Sequence, residues 1–150
     1  MTGAKFEQGT REQVKSLVKA SHEAKNNSYS PYSKFRVGAA LLCQDGTVIK
    51  GCNVENASYG LTICAERTAL VKAISDGHKQ FKAIAIASDM SSSMIAPCGA
   101  CRQFLVEFGV DWDVYMTKPD HSYKNMKTGD LLPLCFVPDS LDEERISHSA

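Results

Sequence analysis

Three cysteines and one glutamate are the residues of this chain best suited to chemistry. Leu61 to Leu70 reads L-T-I-C-A-E-R-T-A-L and carries Cys64 with Glu66 two places on; Ala96 to Arg102 reads A-P-C-G-A-C-R and adds Cys98 and Cys101. The offset between Cys98 and Cys101 lets two sulfurs grip one ion, and Cys64 completes a three-thiolate set. Zinc prefers four tetrahedral ligands. No fourth protein ligand is evident, so one position stays open to water, as in catalytic rather than closed structural sites. A carboxylate beside such a ligand can take a proton from water and return it to a substrate. Three thiolates on a dication leave a net charge of about −1, which opposes ionisation of water. Arg67 and Arg102 could each offset it, and Arg67 is the better candidate to back the sulfurs. Taken singly, Cys64 reads equally well as a buried thiol and Glu66 as an acid placed to suit a helix dipole. The joint spacing separates the readings.

These groups need elements to hold them. Each cysteine stretch sits where a loop gives way to a helix, over Cys64–Ser75 and Pro97–Phe108, with Gly77 and Gly109 as stops. Unpaired N–H groups at a helix start stabilise thiolates. Upstream, the pattern predicts an amphipathic helix over residues 10–26, with Thr10 as its cap and Val14, Leu17, Val18, Ala20 and Ala24 on its apolar face. A hairpin follows, from Phe35–Cys43 through Asp45-Gly46 to Thr47–Val54. Phe81–Ser88 and Asp113–Thr117 read as strands, residues 118–129 as a loop or weak edge hairpin, and 140–147 as a short terminal helix. This order predicts an α/β layered sheet with helices on its faces.

Bulk properties narrow the function classes. The 150 residues suit one domain, 1–150, with its core over roughly 10–138. Seventeen basic residues balance seventeen acidic ones, so no general field gathers nucleic acid or an anionic membrane. Apolar runs are too short to span a bilayer, and the N-terminal stretch lacks the apolar segment of a secretory signal. The expected compartment is the cytosol, with passage into the nucleus allowed. There the thiols stay reduced, and Cys43, Cys52 and Cys135 read as small hydrophobes. His22, His78, His121 and His148 are scattered among polar neighbours, none at ligand spacing from another histidine or a cysteine. They are expected at the surface, which leaves any transition-metal site to the thiolates.

C-A-E-R-T-A together with P-C-G-A-C-R-Q resembles the zinc-dependent cytidine deaminases of the small homotetrameric class. S-P-Y-S-K-F-R-V-G-A-A-L, G-C-N-V-E-N-A-S-Y, W-D-V-Y-M and L-L-P-L-C-F extend the likeness over roughly residues 10–138. The resemblance implies a three-layer α-β-α sandwich around a mixed five-stranded sheet. It implies one zinc per subunit on Cys64, Cys98 and Cys101, with Glu66 moving protons between the zinc-bound water, ring N3 and the departing ammonia. Asn53 and Glu55 would hydrogen-bond the ribose, Phe35 would pack on the pyrimidine or sugar, and the Ala65 backbone would help read the base. Phe136 would stack in a neighbouring subunit's site, and Tyr59 would reach across as well. The implied reaction is hydrolytic deamination of cytidine and 2′-deoxycytidine in pyrimidine salvage, by a cytoplasmic homotetramer with shared active sites.

Asn53 and Glu55 alternate along an extended segment and can face one side. A carboxylate there would accept from a sugar hydroxyl and repel a phosphate, which favours free nucleosides. Their plain alternative is capping at a strand end, and for Phe35 and Phe136 it is core packing. A thiol–disulfide oxidoreductase built on Cys98-Gly-Ala-Cys101 leaves Cys64 and Glu66 without a role. A zinc module binding nucleic acid would need a fourth ligand and a basic face. A deaminase of an aminopyrimidine antibiotic such as blasticidin S shares the C-A-E form, whereas nucleotide and tRNA-editing classes commonly carry H-A-E. The N-V-E loop and Phe136 favour cytidine.

Overall fold

Successive side chains of the central strands lie on opposite faces of a sheet and split the interior into two apolar layers. The computed structural model describes residues 2–148, and side chains from residue 10 onward. Its elements are α1 (Thr2–Lys25), β1 (Val37–Cys43), β2 (Val48–Cys52), α2 (Ala65–Ser75), β3 (Phe81–Ser88), α3 (Gly99–Val106), β4 (Asp113–Thr117) and β5 (Tyr123–Lys127). The strand order is β2-β1-β3-β4-β5, with β3 and β4 parallel and the other neighbours antiparallel. Ala39, Leu41 and Cys43 of β1 join Ile84, Ile86, Val114 and Met116 in the layer that α2 and α3 cover. Ala40, Leu42, Ala83, Ala85 and Tyr115 face the other way, against Leu17, Val18 and Ala20 of α1. A register shift at Leu42/Cys43 brings Cys43 opposite Phe81 and puts both in the first layer. The result is the expected three-layer α-β-α arrangement on a mixed five-stranded sheet.

Two glycines let the helices lie directly on the hairpin. A Cβ on Gly38 would come 2.2 Å from Ser21 O, and one on Gly51 would come 2.5 Å from Ala69 N and 2.7 Å from Ala65 O. Any side chain at Gly51 would push α2 off β2, and with it the turn that begins at Cys64. At the near end of β1, Asp89 accepts from Arg36 Nε and Nη2, each at 3.0 Å, and pairs with Lys25 at 3.2 Å. Arg36 above all, with Lys25, holds the Asp89 carboxyl well below the usual carboxylate range. One acid thereby ties the ends of α1 and β3 to the start of β1.

Several boundaries differ from the sequence reading. α1 begins at Thr2, so Thr10 lies inside the helix rather than capping it. A glycine inside a helix costs about 1 kcal/mol relative to alanine, so Gly9 does not stop it. β1 and β2 are shorter than expected because residues 35–36 and 53–54 leave the ladder to build the site. α3 is also shorter, Gly99–Val106. The weak hairpin beyond β4 is a true edge strand, β5, whose Lys124 and Lys127 keep that edge from pairing further. The terminal helix over 140–147 is replaced by a 3₁₀ segment, Pro138–Asp142. Among the described residues, no helix is long and apolar enough to cross a membrane.

Candidate active site

Cys64 and Cys98 each occupy the residue just before a helix, in extended backbone, and Cys101 lies in the first turn of α3. Cys64 Sγ and Cys98 Sγ are 3.8 Å apart, and the sulfurs of Cys64, Cys98 and Cys101 all lie within 4.8 Å of one another. Two sulfurs about 2.3 Å from one tetrahedral zinc would be separated by roughly 3.8 Å, so the donor set fits zinc in type and spacing. The positive ends of α2 and α3 meet at these sulfurs. Cys64 is held down to about 5, first by a hydrogen bond with Cys101 and then by Arg67 and Cys98, against the opposing effect of burial. Cys101 is pushed up by that same bond and by burial.

Glu66 is 3% exposed, and its Oε2 lies 3.6 Å from Cys101 Sγ. Burial, reinforced by the nearby Cys64 charge, raises its pKa above the usual carboxylate value. A carboxyl biased in this way can hold a proton between two transfers. Arg67 Nη2 stands 3.4 Å from Cys64 Sγ. Its buried Nε makes no hydrogen bond among the described residues. Arg102 does different work. Its Nε donates to Pro97 O at 2.8 Å and its Nη1 to Leu131 O at 2.9 Å, which fixes the loop that presents Cys98.

A cavity of about 180 Å³ opens above this cluster, with Cys64, Cys98, Ala65 and Glu66 at its base and Val37, Asn53, Thr62, Ile95 and Ala96 around it. Thr62 also borders a groove of about 430 Å³ lined by Tyr32, Ser33, Glu55 and Tyr59. The N-V-E loop is anchored from both sides: Tyr29 N donates to Asn53 O, and Val54 exchanges two backbone hydrogen bonds with Ile63. The residues that precede Cys64 therefore pair with those that follow β2.

Asn53 and Glu55 are already engaged within the chain. Asn53 Oδ1 accepts from Val37 N at 2.9 Å and from Ser28 Oγ, while its Nδ2 donates to Phe35 O at 2.9 Å. Glu55 Oε1 accepts from Tyr32 N at 3.0 Å and Ser33 N at 3.1 Å, and Oε2 accepts from Ser33 Oγ at 2.5 Å. The Ser33 hydroxyl and these amides hold its pKa below the usual value, so the groove carries a standing negative charge. Each side chain keeps further capacity: one Nδ2 hydrogen on Asn53 and a free lone pair on Glu55.

The aromatic candidates fall in different places. Phe35 is half-buried, and Val37 rather than Phe35 lines the cavity. Tyr59 is 72% exposed beside Tyr32, with ring centroids 5.6 Å apart. Phe136 is 58% exposed, and its carbonyl accepts from Gln103 Nε2 of α3. Sequence reasoning overlooked Thr62, Ile95 and Ala96 as walls and Ser28 and Ser33 as supports, because small neutral residues carry no spacing signal. It also placed every histidine at the surface. His22 is in fact half-buried and stacked on His121, and His78 is half-buried near Asp45.

Comparison with known proteins agrees with this geometry. Residues 11–117 match the family model described as the cytidine and deoxycytidylate deaminase zinc-binding region. A probable cytidine deaminase of Dictyostelium discoideum is 50% identical over 131 residues, covering 87% of this chain and 88% of that protein. The crystal structure of cytidine deaminase from Burkholderia pseudomallei superposes with a TM-score of 0.77 at 48% identity, covering 81% of this chain and 97% of that one. A blasticidin-S deaminase of Bacillus cereus is 31% identical over 86 residues, covering 53% of this chain and 61% of that protein.

Proposed function

This chain belongs to the cytidine and deoxycytidylate deaminase family, and from that premise we propose that it is a zinc-dependent cytidine deaminase. It converts cytidine and 2′-deoxycytidine to uridine and 2′-deoxyuridine with release of ammonia. The observation that carries the reading is the convergence of three sulfurs with a buried Glu66 at a cavity that Cys64, Cys98, Glu66 and Asn53 line. Cys64, Cys98 and Cys101 would hold the zinc, whose Lewis acidity, when bound, lets water ionise near neutral pH. Glu66 takes the proton of the attacking water and delivers it to ring N3 while the C4–O bond forms. It then moves the remaining hydroxyl proton to the exocyclic amine, the C4–N bond breaks, and ammonia leaves behind a C4 carbonyl. Arg67 places positive charge against Cys64 and offsets the excess negative charge of three thiolates.

The Ala65 backbone, at the base of the cavity, is available to the base. Asn53 and Glu55 use their remaining hydrogen-bonding capacity on the sugar, Phe35 flanks the nucleoside, and the standing charge on Glu55 disfavours a 5′-phosphate. The chain acts as one catalytic domain over 1–150, in the cytoplasm, in pyrimidine salvage. It assembles as a homotetramer with shared active sites. Tyr59, Leu61, Leu134 and Phe136 are exposed apolar side chains available to such contacts.

The test is an ultraviolet assay of the purified protein against cytidine, deoxycytidine, CMP, adenosine and blasticidin S. Turnover of the two nucleosides, lost in Glu66→Ala and Glu66→Gln, is the expected result. No turnover of either nucleoside, or full activity in both variants, overturns the reading. Mixing Phe136→Ala with Glu66→Ala protein tests the shared sites, since hetero-oligomers should then show non-additive activity.

A further inference from the structure

At the opposite end of β1 from the cavity, three chemically different side chains meet. Cys43 closes β1, Asp45 sits in the turn to β2, and His78 lies in the connection from α2 to β3. Their ligand atoms, one sulfur, one oxygen and one nitrogen, all lie within 4.8 Å of one another. We propose that Cys43, Asp45 and His78 form a second metal site, suited to zinc or a neighbouring first-row transition ion, that fastens the hairpin turn to the α2–β3 connection.

Geometry is the first support. His78 Nδ1 is 3.6 Å from Asp45 Oδ2, long for a hydrogen bond but near the roughly 3.3 to 3.6 Å expected between nitrogen and oxygen ligands of one zinc. The backbone holds the ligands there. Gln44 N donates to Gln80 O at 3.0 Å across the two connections, and Cys43 N donates to Thr47 O at 2.9 Å. Asp45 Oδ1 accepts from Thr47 N at 2.9 Å, leaving Oδ2 toward His78. Such an outer hydrogen bond orients a carboxylate ligand.

Charge and access agree. A thiolate, a carboxylate and a neutral imidazole around a dication sum to zero. That suits Cys43, which is 1% exposed within the apolar layer, where an isolated thiolate would be costly to bury. The Asp45 and His78 side chains are 59% and 23% exposed, so an ion can enter and a water can complete its shell. A mixed sulfur, nitrogen and oxygen set selects zinc, cobalt or copper over magnesium or calcium. The plainer arrangement is a core cysteine beneath an Asp45–His78 ion pair, and it differs in needing no thiolate.

Cobalt(II) separates the two, because zinc at the first site is spectroscopically silent. Holoenzyme dialysed to one zinc per chain is titrated with cobalt(II), with metals counted after gel filtration, alongside Asp45→Asn and His78→Ala. The expected result is one cobalt bound per chain without release of zinc. It brings a near-ultraviolet thiolate-to-cobalt absorption, and both variants bind about tenfold or more weakly while their turnover of cytidine stays within about twofold. Four outcomes overturn the proposal: no cobalt uptake, uptake matched by zinc release, uptake without thiolate absorption, or uptake undiminished in both variants.

Discussion

Cys64, Cys98 and Cys101 gather at the starts of two helices beneath a cavity, whereas Cys43, Asp45 and His78 gather at a strand end and two turns on the outside of the hairpin. The first cluster meets converging helix dipoles, an arginine and a buried acid. Among the described residues, the second is paired with no lysine or arginine, and it balances its charge with a carboxylate. With about one excess negative charge, the first depends on its surroundings to make water acidic; with a charge near zero, the second is suited to holding rather than reacting. Placement at a helix start beside an open cavity, more than ligand identity, separates a catalytic centre from a fastening.

Removing one ligand from each cluster gives the largest contrast. Cys98→Ala should bring cytidine turnover to background and release the zinc, measured by assay and metal analysis, while His78→Ala keeps both. Glu66→Gln should lower kcat by about 10² to 10⁴-fold with the zinc retained. Metal loss in that variant would mean that Glu66 serves the ligands rather than the substrate. Next comes Arg67→Ala, expected to weaken zinc binding about 10- to 100-fold in a competition titration with a chromophoric chelator, with no comparable effect from Lys79→Ala near the second cluster. The smallest effect on chemistry should come from Gly51→Ala. The added methyl meets the α2 backbone at 2.5 Å and should cost about 1–3 kcal/mol, read as a lower thermal midpoint. Because α2 carries Cys64 and Glu66, its turnover should fall while the hairpin-end cluster is untouched.

Much of the first cluster was legible because its members are close in sequence. Cys64 and Glu66 share one stretch and Cys98 and Cys101 another, and the helix starts announce themselves by apolar periodicity. β3 and β4 were also readable to the residue, since their apolar runs are sharply bounded. Less was legible where packing overrode local signals. Thr10 was read as the cap of a helix that in fact continues through it, and the polar run of β5 gained strand pairing only from β4. Asn53 and Glu55 were singled out for a sugar, but their prior engagement with Val37, Phe35, Tyr32 and Ser33 depends on a loop closure that spacing does not show.

By itself, the sequence determined the donor types, the pairing of a carboxylate with a thiolate, and the alternation that makes a two-faced sheet. These follow from residue chemistry and short-range periodicity. Only the tertiary structure decided that Cys64 and Cys98 stand 3.8 Å apart, that Arg67 reaches Cys64 Sγ while Arg102 turns to Pro97 O and Leu131 O, and that His78 lies near Cys43. Distances between residues far apart in the chain are set by how helices seat on the sheet, here through the backbone contact at Gly51 and the strand register, and no local pattern encodes that seating.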